Sequence, residues 1–234
     1  MPTPVVFLHG FAATARHWDR VIATLPAGRV TPIALTLTDA TPLTPDGVTT
    51  LISDAADGPL VLAGYSMGAR LALHTALAIP QRIARLVLIS ASPGIEDAGE
   101  RGARRAADDA LAAQIERGTI DEFIERWRAV PLFADDPGWV HDEVAADERR
   151  CEPAQLAAVL RSLGAGAMTP MWDRLSELRM PVEVLVGADD AAYEATGRRL
   201  AAAVENAAFR AVAGVGHRVA LQAPRAVVDA LAGA

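Results

Sequence analysis

A chain of 234 residues, 51% of them hydrophobic, is long and apolar enough to bury the core of one domain, which argues against a disordered or fibrous protein. The formal net charge is -7, all 22 basic residues are arginine, and no run of them forms a basic tail or stripe, which argues against a nucleic-acid partner. A single cysteine, Cys151, rules out an internal disulfide and fits a reducing compartment. Met1-Pro2-Thr3-Pro4 has no charged leader, and no stretch approaches the roughly 20 apolar residues that cross a bilayer. A cytoplasmic protein that makes no membrane contact is the expectation, as a monomer or small homo-oligomer.

In chain order, short β-branched or apolar runs alternate with amphipathic stretches, the pattern of a mostly parallel sheet flanked by helices. Strands are expected near Val5-Leu8, Val30-Leu37, Leu60-Ala63, Leu86-Ile89, Val182-Val186 and Ala208-Val212. Helices are expected near Trp18-Leu25, Val48-Ala55, Met67-Ala78, Tyr193-Val204 and Arg225-Leu231. Between Gly94 and Arg179 the strand signal gives way to charged amphipathic helices broken by Pro131, Pro137, Pro153 and Pro170. This reads as a helical cap over 94–179 inserted into a core formed by 1–93 and 180–234. Charged pairs in it, such as Arg104-Arg105 and Asp108-Asp109, read by default as a solvated helix face. Over an active site they become candidates for substrate contact.

The most informative stretch is Gly64-Tyr65-Ser66-Met67-Gly68, which has the G-x-S-x-G spacing of a nucleophile elbow. A serine on so tight a strand-to-helix turn needs glycines around it, because side chains there would strike neighbouring backbone. Glycine-containing βα turns are common, so the pattern draws its weight from chain order. In the α/β-hydrolase fold the serine is followed by an acid and then a histidine. Here Pro181-Gly187 reads as a buried strand ending at Asp189-Asp190, and Val212-Gly216 delivers His217 from a glycine turn. Asp190 has the Gly-x-x-Asp spacing from Gly187, with Asp189 its rival. Upstream, Val5-Phe11 runs into a His-Gly loop, and the backbone amides of Phe11 and Met67 are the candidate oxyanion-hole donors. His9, His17, His74 and His141 are scattered away from any carboxylate cluster, so no metal site is expected.

The elbow Gly-Tyr-Ser-Met-Gly-Ala-Arg-Leu-Ala-Leu, the cap beginning Ser92-Pro93-Gly94 with Glu100-Arg101, Arg104-Arg105 and Asp108, and then Phe123, Trp127 and Pro131-Leu132-Phe133 resemble one family closely. That family is the 2-succinyl-6-hydroxy-2,4-cyclohexadiene-1-carboxylate synthases of the menaquinone pathway. Leu160-Arg161, Gly164-Ala165-Gly166 and Trp172 extend the match. The resemblance implies a cofactor-free lyase that eliminates pyruvate from 2-succinyl-5-enolpyruvyl-6-hydroxy-3-cyclohexene-1-carboxylate. Ser66, made basic by His217 and Asp190, would take a ring proton next to the succinyl ketone, and the two amides would hold the enolate.

A small polycarboxylate substrate needs fixed cations, since buried unpaired carboxylates are prohibitive. Arg70 lies one helical turn after Ser66. By the resemblance, Arg104 matches the family's cap arginine, and Tyr65 and Trp127 its aromatic substrate neighbours. A salt bridge to a nearby helix is the competing role for Arg70, and core packing for Tyr65 and Trp127. The chain departs from the family pattern at Ala191-Ala192-Tyr193 after the acid, at Arg218, Ala220 and Gln222 after the histidine, and at Glu148 near the third cap arginine. A serine carboxylester or carbon–carbon bond hydrolase is the alternative function. A non-catalytic small-molecule receptor is a third reading.

Overall fold

All six expected strands form, as β1 (Thr3–Leu8), β2 (Val30–Leu35), β3 (Leu60–Tyr65), β4 (Ile83–Ile89), β5 (Val182–Gly187) and β6 (Ala207–Val212). In the computed structural model, which describes residues 2–133 and 135–232, they pair in parallel in the order β2-β1-β3-β4-β5-β6. Parallel strands covered on both faces bury consecutive residues on opposite sides. Accordingly Leu62, Leu86 and Val184 pack into one apolar layer, and Val61, Val87 and Leu185 into the other.

Helices α1 (Asp19–Thr24), α2 (Pro45–Ala55) and α3 (Met67–Ala78) follow the first three strands. Helix α2 begins three residues before the expected Val48, because Thr44 caps it by accepting from the Gly47 amide and Pro45 fits its first turn. The expected Trp18–Leu25 helix forms as α1, Asp19–Thr24, and a 3-10 turn, Ala15–Trp18, leads into it.

Between β4 and β5 lie α4 (Ala98–Arg117), α5 (Ile120–Arg128), α6 (Gly138–Glu148) and α7 (Pro153–Leu163), with no strand among the described residues. Asp97 caps α4, and a reciprocal Thr119–Glu122 capping box opens α5. Ala112 and Ile115 of α4 pack with Leu156 and Leu160 of α7. At Gly166 any side chain would strike the Arg105 backbone, so the turn after α7 lies backbone to backbone on α4.

The chain closes with α8 (Ala191–Ala202), α9 (Val219–Gln222) and α10 (Pro224–Ala232). β1 and β3 are neighbours although β2 intervenes in sequence, so the order reverses between them. In open parallel sheets a ligand crevice forms at that reversal, beyond the carboxyl ends of the strands. The His-Gly loop leaves β1 there and Ser66 follows β3.

Candidate active site

Strand β3 ends at Tyr65 and α3 begins at Met67, leaving Ser66 alone in the turn. Its backbone has φ +53° and ψ −112°, a left-handed conformation that an L side chain rarely adopts. A side chain at Gly64 would strike the Gly68 carbonyl, and one at Gly68 the carbonyls of Leu8 and His9. Both glycines are therefore required by contact with backbone.

His217 Nδ1 lies 2.6 Å from Asp190 Oδ2, and its Nε2 lies 3.1 Å from Ser66 Oγ. With Nδ1–H donating to the carboxylate, Nε2 is left to accept the serine proton. Asp190 and His217 are buried, whereas Asp189 is exposed and has no contact with the imidazole among the described hydrogen bonds. The spacing from Gly187 thus distinguishes the two acids. Ser90 Oγ donates to the His217 carbonyl at 2.9 Å and pins the histidine turn from beneath.

The His-Gly loop is braced by its own histidine. His9 Nδ1 donates to the Gly10 carbonyl at 2.7 Å while Nε2 accepts the Leu37 amide at 3.1 Å, a neutral tautomer that fits the lowering of its pKa by burial. Beyond it, the Thr14 amide and hydroxyl both donate to Asp147 of α6, at 2.9 and 2.6 Å. Phe11 and Met67 then border the same cavity as Ser66. As the first residue of α3, Met67 presents an N–H that has no carbonyl partner within the helix.

That cavity measures about 420 Å³ and brings Arg70, Arg104 and Trp127 to Ser66. Arg70 is 7% exposed, yet its guanidinium contacts no carboxylate among the described residues. Its Nε donates to Met168 Sδ at 3.3 Å and its Nη2 to the Leu163 carbonyl at 3.1 Å. Burial brings its pKa down to about 10, with Arg104 adding to the effect, so it remains cationic at neutral pH. Arg104, itself half exposed, has its Nε held by Asp108 Oδ1 at 2.8 Å, and Arg105 and Asp109 beside it in α4 are exposed.

Tyr65 does not join this group. It stacks on His17, with ring centroids 4.7 Å apart, behind the Ser66–His217 pair. Tyr193 does line the cavity, although in the sequence it figured only as a departure. Cys151 is partly buried, its thiol pushed up to about 12 by burial and then by Asp147 and Glu148.

A model of the alpha/beta hydrolase family matches residues 5–230. The chain belongs to that family. It is 28% identical to the 2-succinyl-6-hydroxy-2,4-cyclohexadiene-1-carboxylate synthase of Klebsiella pneumoniae subsp. pneumoniae, over 97% of this chain and 92% of that protein. A Bacillus subtilis protein that carries the same name provisionally is 30% identical over 94% of this chain and 86% of its own length. The solved structure of MenH from S. aureus superposes with a TM-score of 0.91 at 27% identity, covering 99% of this chain and 92% of that one.

Within this alpha/beta hydrolase two of the departures after His217, buried Arg218 and half-buried Gln222, meet on Asp136. Arg218 Nη1 and Gln222 Nε2 donate to the two oxygens of Asp136, each at 2.8 Å, and the Arg218 guanidinium lies 4.0 Å over the Phe133 ring. Glu148 is also buried, and burial pushes its carboxyl up to about 8 despite the positive charge of Arg218. A second cavity of about 410 Å³ opens beside His217, where Asp135, Asp136, Asp189 and Asp190 line it. Its acidic wall repels an anion, so the arginine-bearing cavity is the one suited to a carboxylate ligand.

Proposed function

We propose that this α/β-hydrolase is a lyase that eliminates pyruvate from 2-succinyl-5-enolpyruvyl-6-hydroxy-3-cyclohexene-1-carboxylate, giving 2-succinyl-6-hydroxy-2,4-cyclohexadiene-1-carboxylate in menaquinone biosynthesis. The observation that carries the reading is Arg70, a buried cation with no carboxylate partner facing the same cavity as Ser66. A guanidinium desolvated without a counter-charge is costly unless an anionic ligand supplies one. Arg104, oriented by Asp108, offers a second cation, and Trp127 an apolar wall. The names carried by the related synthases support the same substrate.

Ser66 Oγ, its own proton passing to His217 Nε2, takes the ring proton next to the succinyl ketone. The electron pair moves onto the ketone oxygen as an enolate, which the amides of Phe11 and Met67 stabilise. Collapse of the enolate forms the C2–C3 double bond, shifts the C3–C4 double bond to C4–C5 and breaks the bond from C5 to the enolpyruvyl oxygen; the group leaves as the enolate of pyruvate and becomes pyruvate after gaining a proton. Asp190 keeps the imidazole in the tautomer that accepts from serine. No step needs a cofactor or a metal. The reading includes residues 94–179 acting as the substrate-binding cap and a cytoplasmic location; no described helix is long and apolar enough to cross a membrane.

The test is pyruvate release from freshly generated substrate, coupled to lactate dehydrogenase. Rapid release is expected from the wild type and loss of it from Ser66→Ala. Arg70→Ala is expected to lower kcat/KM by about a thousandfold, the scale for removing one partner of a buried charge pair. Wild-type release no faster than the spontaneous background would overturn the reading, and unchanged turnover in Arg70→Ala would overturn the anion clamp. The left-handed Ser66 within reach of His217 also favours a second reading, a serine carboxylester or carbon–carbon bond hydrolase with a covalent intermediate. That enzyme would show an acyl burst and fast turnover of uncharged esters.

A further inference from the structure

Helix α7 ends at Leu163, and the turn Gly164-Ala165-Gly166 then carries the chain toward Met168. These residues are buried, and Ala165 borders the cavity that holds Ser66. On one side this short piece grips Arg70. The Leu163 carbonyl accepts from Nη2 at 3.1 Å, and Met168 Sδ accepts from Nε at 3.3 Å. Nε–H and one Nη2–H share an edge of the planar guanidinium, so the turn occupies that edge. Nη1 has no partner among the described hydrogen bonds, which leaves the other edge to a carboxylate in the cavity that Arg70 borders.

The same turn lies against the support of the second arginine. A side chain at Gly166 would strike the Arg105 amide and come within 2.9 Å of the Arg104 carbonyl carbon, so the turn rests directly on the α4 backbone where Arg104 leaves it. Gly164 faces the Asp108 carboxylate, and a side chain there would come within 2.7 Å of Oδ2. That oxygen has no hydrogen-bond partner among the described residues, while Oδ1 holds Arg104 Nε at 2.8 Å. Two glycines thus let one buried turn touch both the backbone that carries Arg104 and the carboxylate that orients it.

We propose that the turn 163–168 is the specificity-determining support of this cavity, fixing the guanidiniums of Arg70 and Arg104 relative to each other so that the site selects a ligand with two carboxylates over one with a single carboxylate. A guanidinium held along one edge cannot swing to follow a ligand, and Arg104 is tied to Asp108 on the same support. Such preorganisation favours an anion pair that matches both cations, because little side-chain freedom remains to be lost on binding. A monocarboxylate satisfies only one of them.

The inference rests on the reading of this cavity as a polycarboxylate site, and its test separates it from the lyase reading. Gly166→Ala drives the turn off α4, and Met168→Leu keeps the volume while removing the acceptor of Arg70 Nε. In the full chain, pyruvate elimination is followed for KM and kcat, and calorimetry compares succinate with butyrate as di- and monocarboxylate probes. The wild type is expected to bind succinate about tenfold or more tightly than butyrate. Gly166→Ala should raise KM and the succinate Kd by roughly ten- to hundredfold, the scale of a displaced hydrogen bond to a charged group, with kcat held within about threefold. Met168→Leu should raise both by about three- to tenfold at a nearly unchanged Tm, and it alone decides if Gly166→Ala fails to fold.

A fall in kcat at unchanged KM and succinate Kd would reduce the turn to packing and overturn the proposal. Wild-type values throughout would do the same, as would succinate binding no tighter than butyrate. A weakened succinate Kd in the variants of a protein whose wild type releases no pyruvate would uphold the support role while removing the lyase reading. A wild type that neither binds succinate nor releases pyruvate would overturn both.

Discussion

Ser66 holds its hydroxyl out at the expense of backbone strain, since φ +53° with ψ −112° suits glycine and costs other residues about 1–3 kcal/mol. Ser66→Gly should therefore abolish pyruvate release yet raise Tm by about 2–4 °C, allowing for the greater unfolded-state entropy of glycine. Differential scanning calorimetry beside the coupled assay checks this, and a lower Tm would mean that the turn carries no strain. Ser66, Asp190 and His217 were legible in the sequence because glycine spacing and strand ends mark their places. Tyr65 was harder, and the reason is period two. It shares a face of β3 with Val61 and Ala63, which turns its ring toward His17 and away from the cavity. Tyr193 carries no motif of its own. The signal that could have found it is the N-cap at Asp190, which fixes where the third helical residue must lie.

Helices and strands were legible wherever apolar periodicity ran long enough. The six strands and the helix after the elbow show this, since each has tertiary partners on the faces that its pattern predicts. Short turns such as Ala15–Trp18 escaped because three or four residues show no period, and the Thr44-Pro45 start of α2 because a cap is a single-residue signal. How the helices of 94–179 meet the sheet was not written in any local pattern. One such contact is the bidentate grip of Asp147 on Thr14, which ties α6 to the loop bearing Phe11. Asp147→Ala should free that loop and lower kcat by about ten- to hundredfold through misplacement of an oxyanion donor, with a small change in KM. Amide hydrogen exchange should quicken around Thr14 in the same variant. An unchanged kcat would show that the loop is held by the sheet alone.

At the scale of the whole molecule, stability should depend on pH through Glu148. Its carboxyl is raised from an ordinary 4.5 to about 8 by burial, so between those values the folded chain holds a proton that the unfolded chain releases. Stability is thus expected to be fullest below 4.5 and to fall as pH rises through 8. Glu148→Gln should flatten the profile, raising Tm at pH 8.5 while changing little at pH 5, as thermal melts across that range would show. A profile that is the same in both proteins would mean that the carboxyl finds a compensating partner.

The two oppositely lined cavities make a broader point about the molecule. Asp108 offsets Arg104 and Arg218 offsets Asp136, which leaves Arg70 on the Ser66 side and Asp135 and Asp189 on the side where Asp190 and His217 open outward. On the proposed mechanism these remaining charges set an electric field along the hydrogen-bonded line from serine to aspartate. A proton leaving Ser66 for His217 moves down that field, away from the guanidinium and toward the carboxylates. The fixed charges of two walls thus favour separation of alkoxide from imidazolium before any substrate arrives.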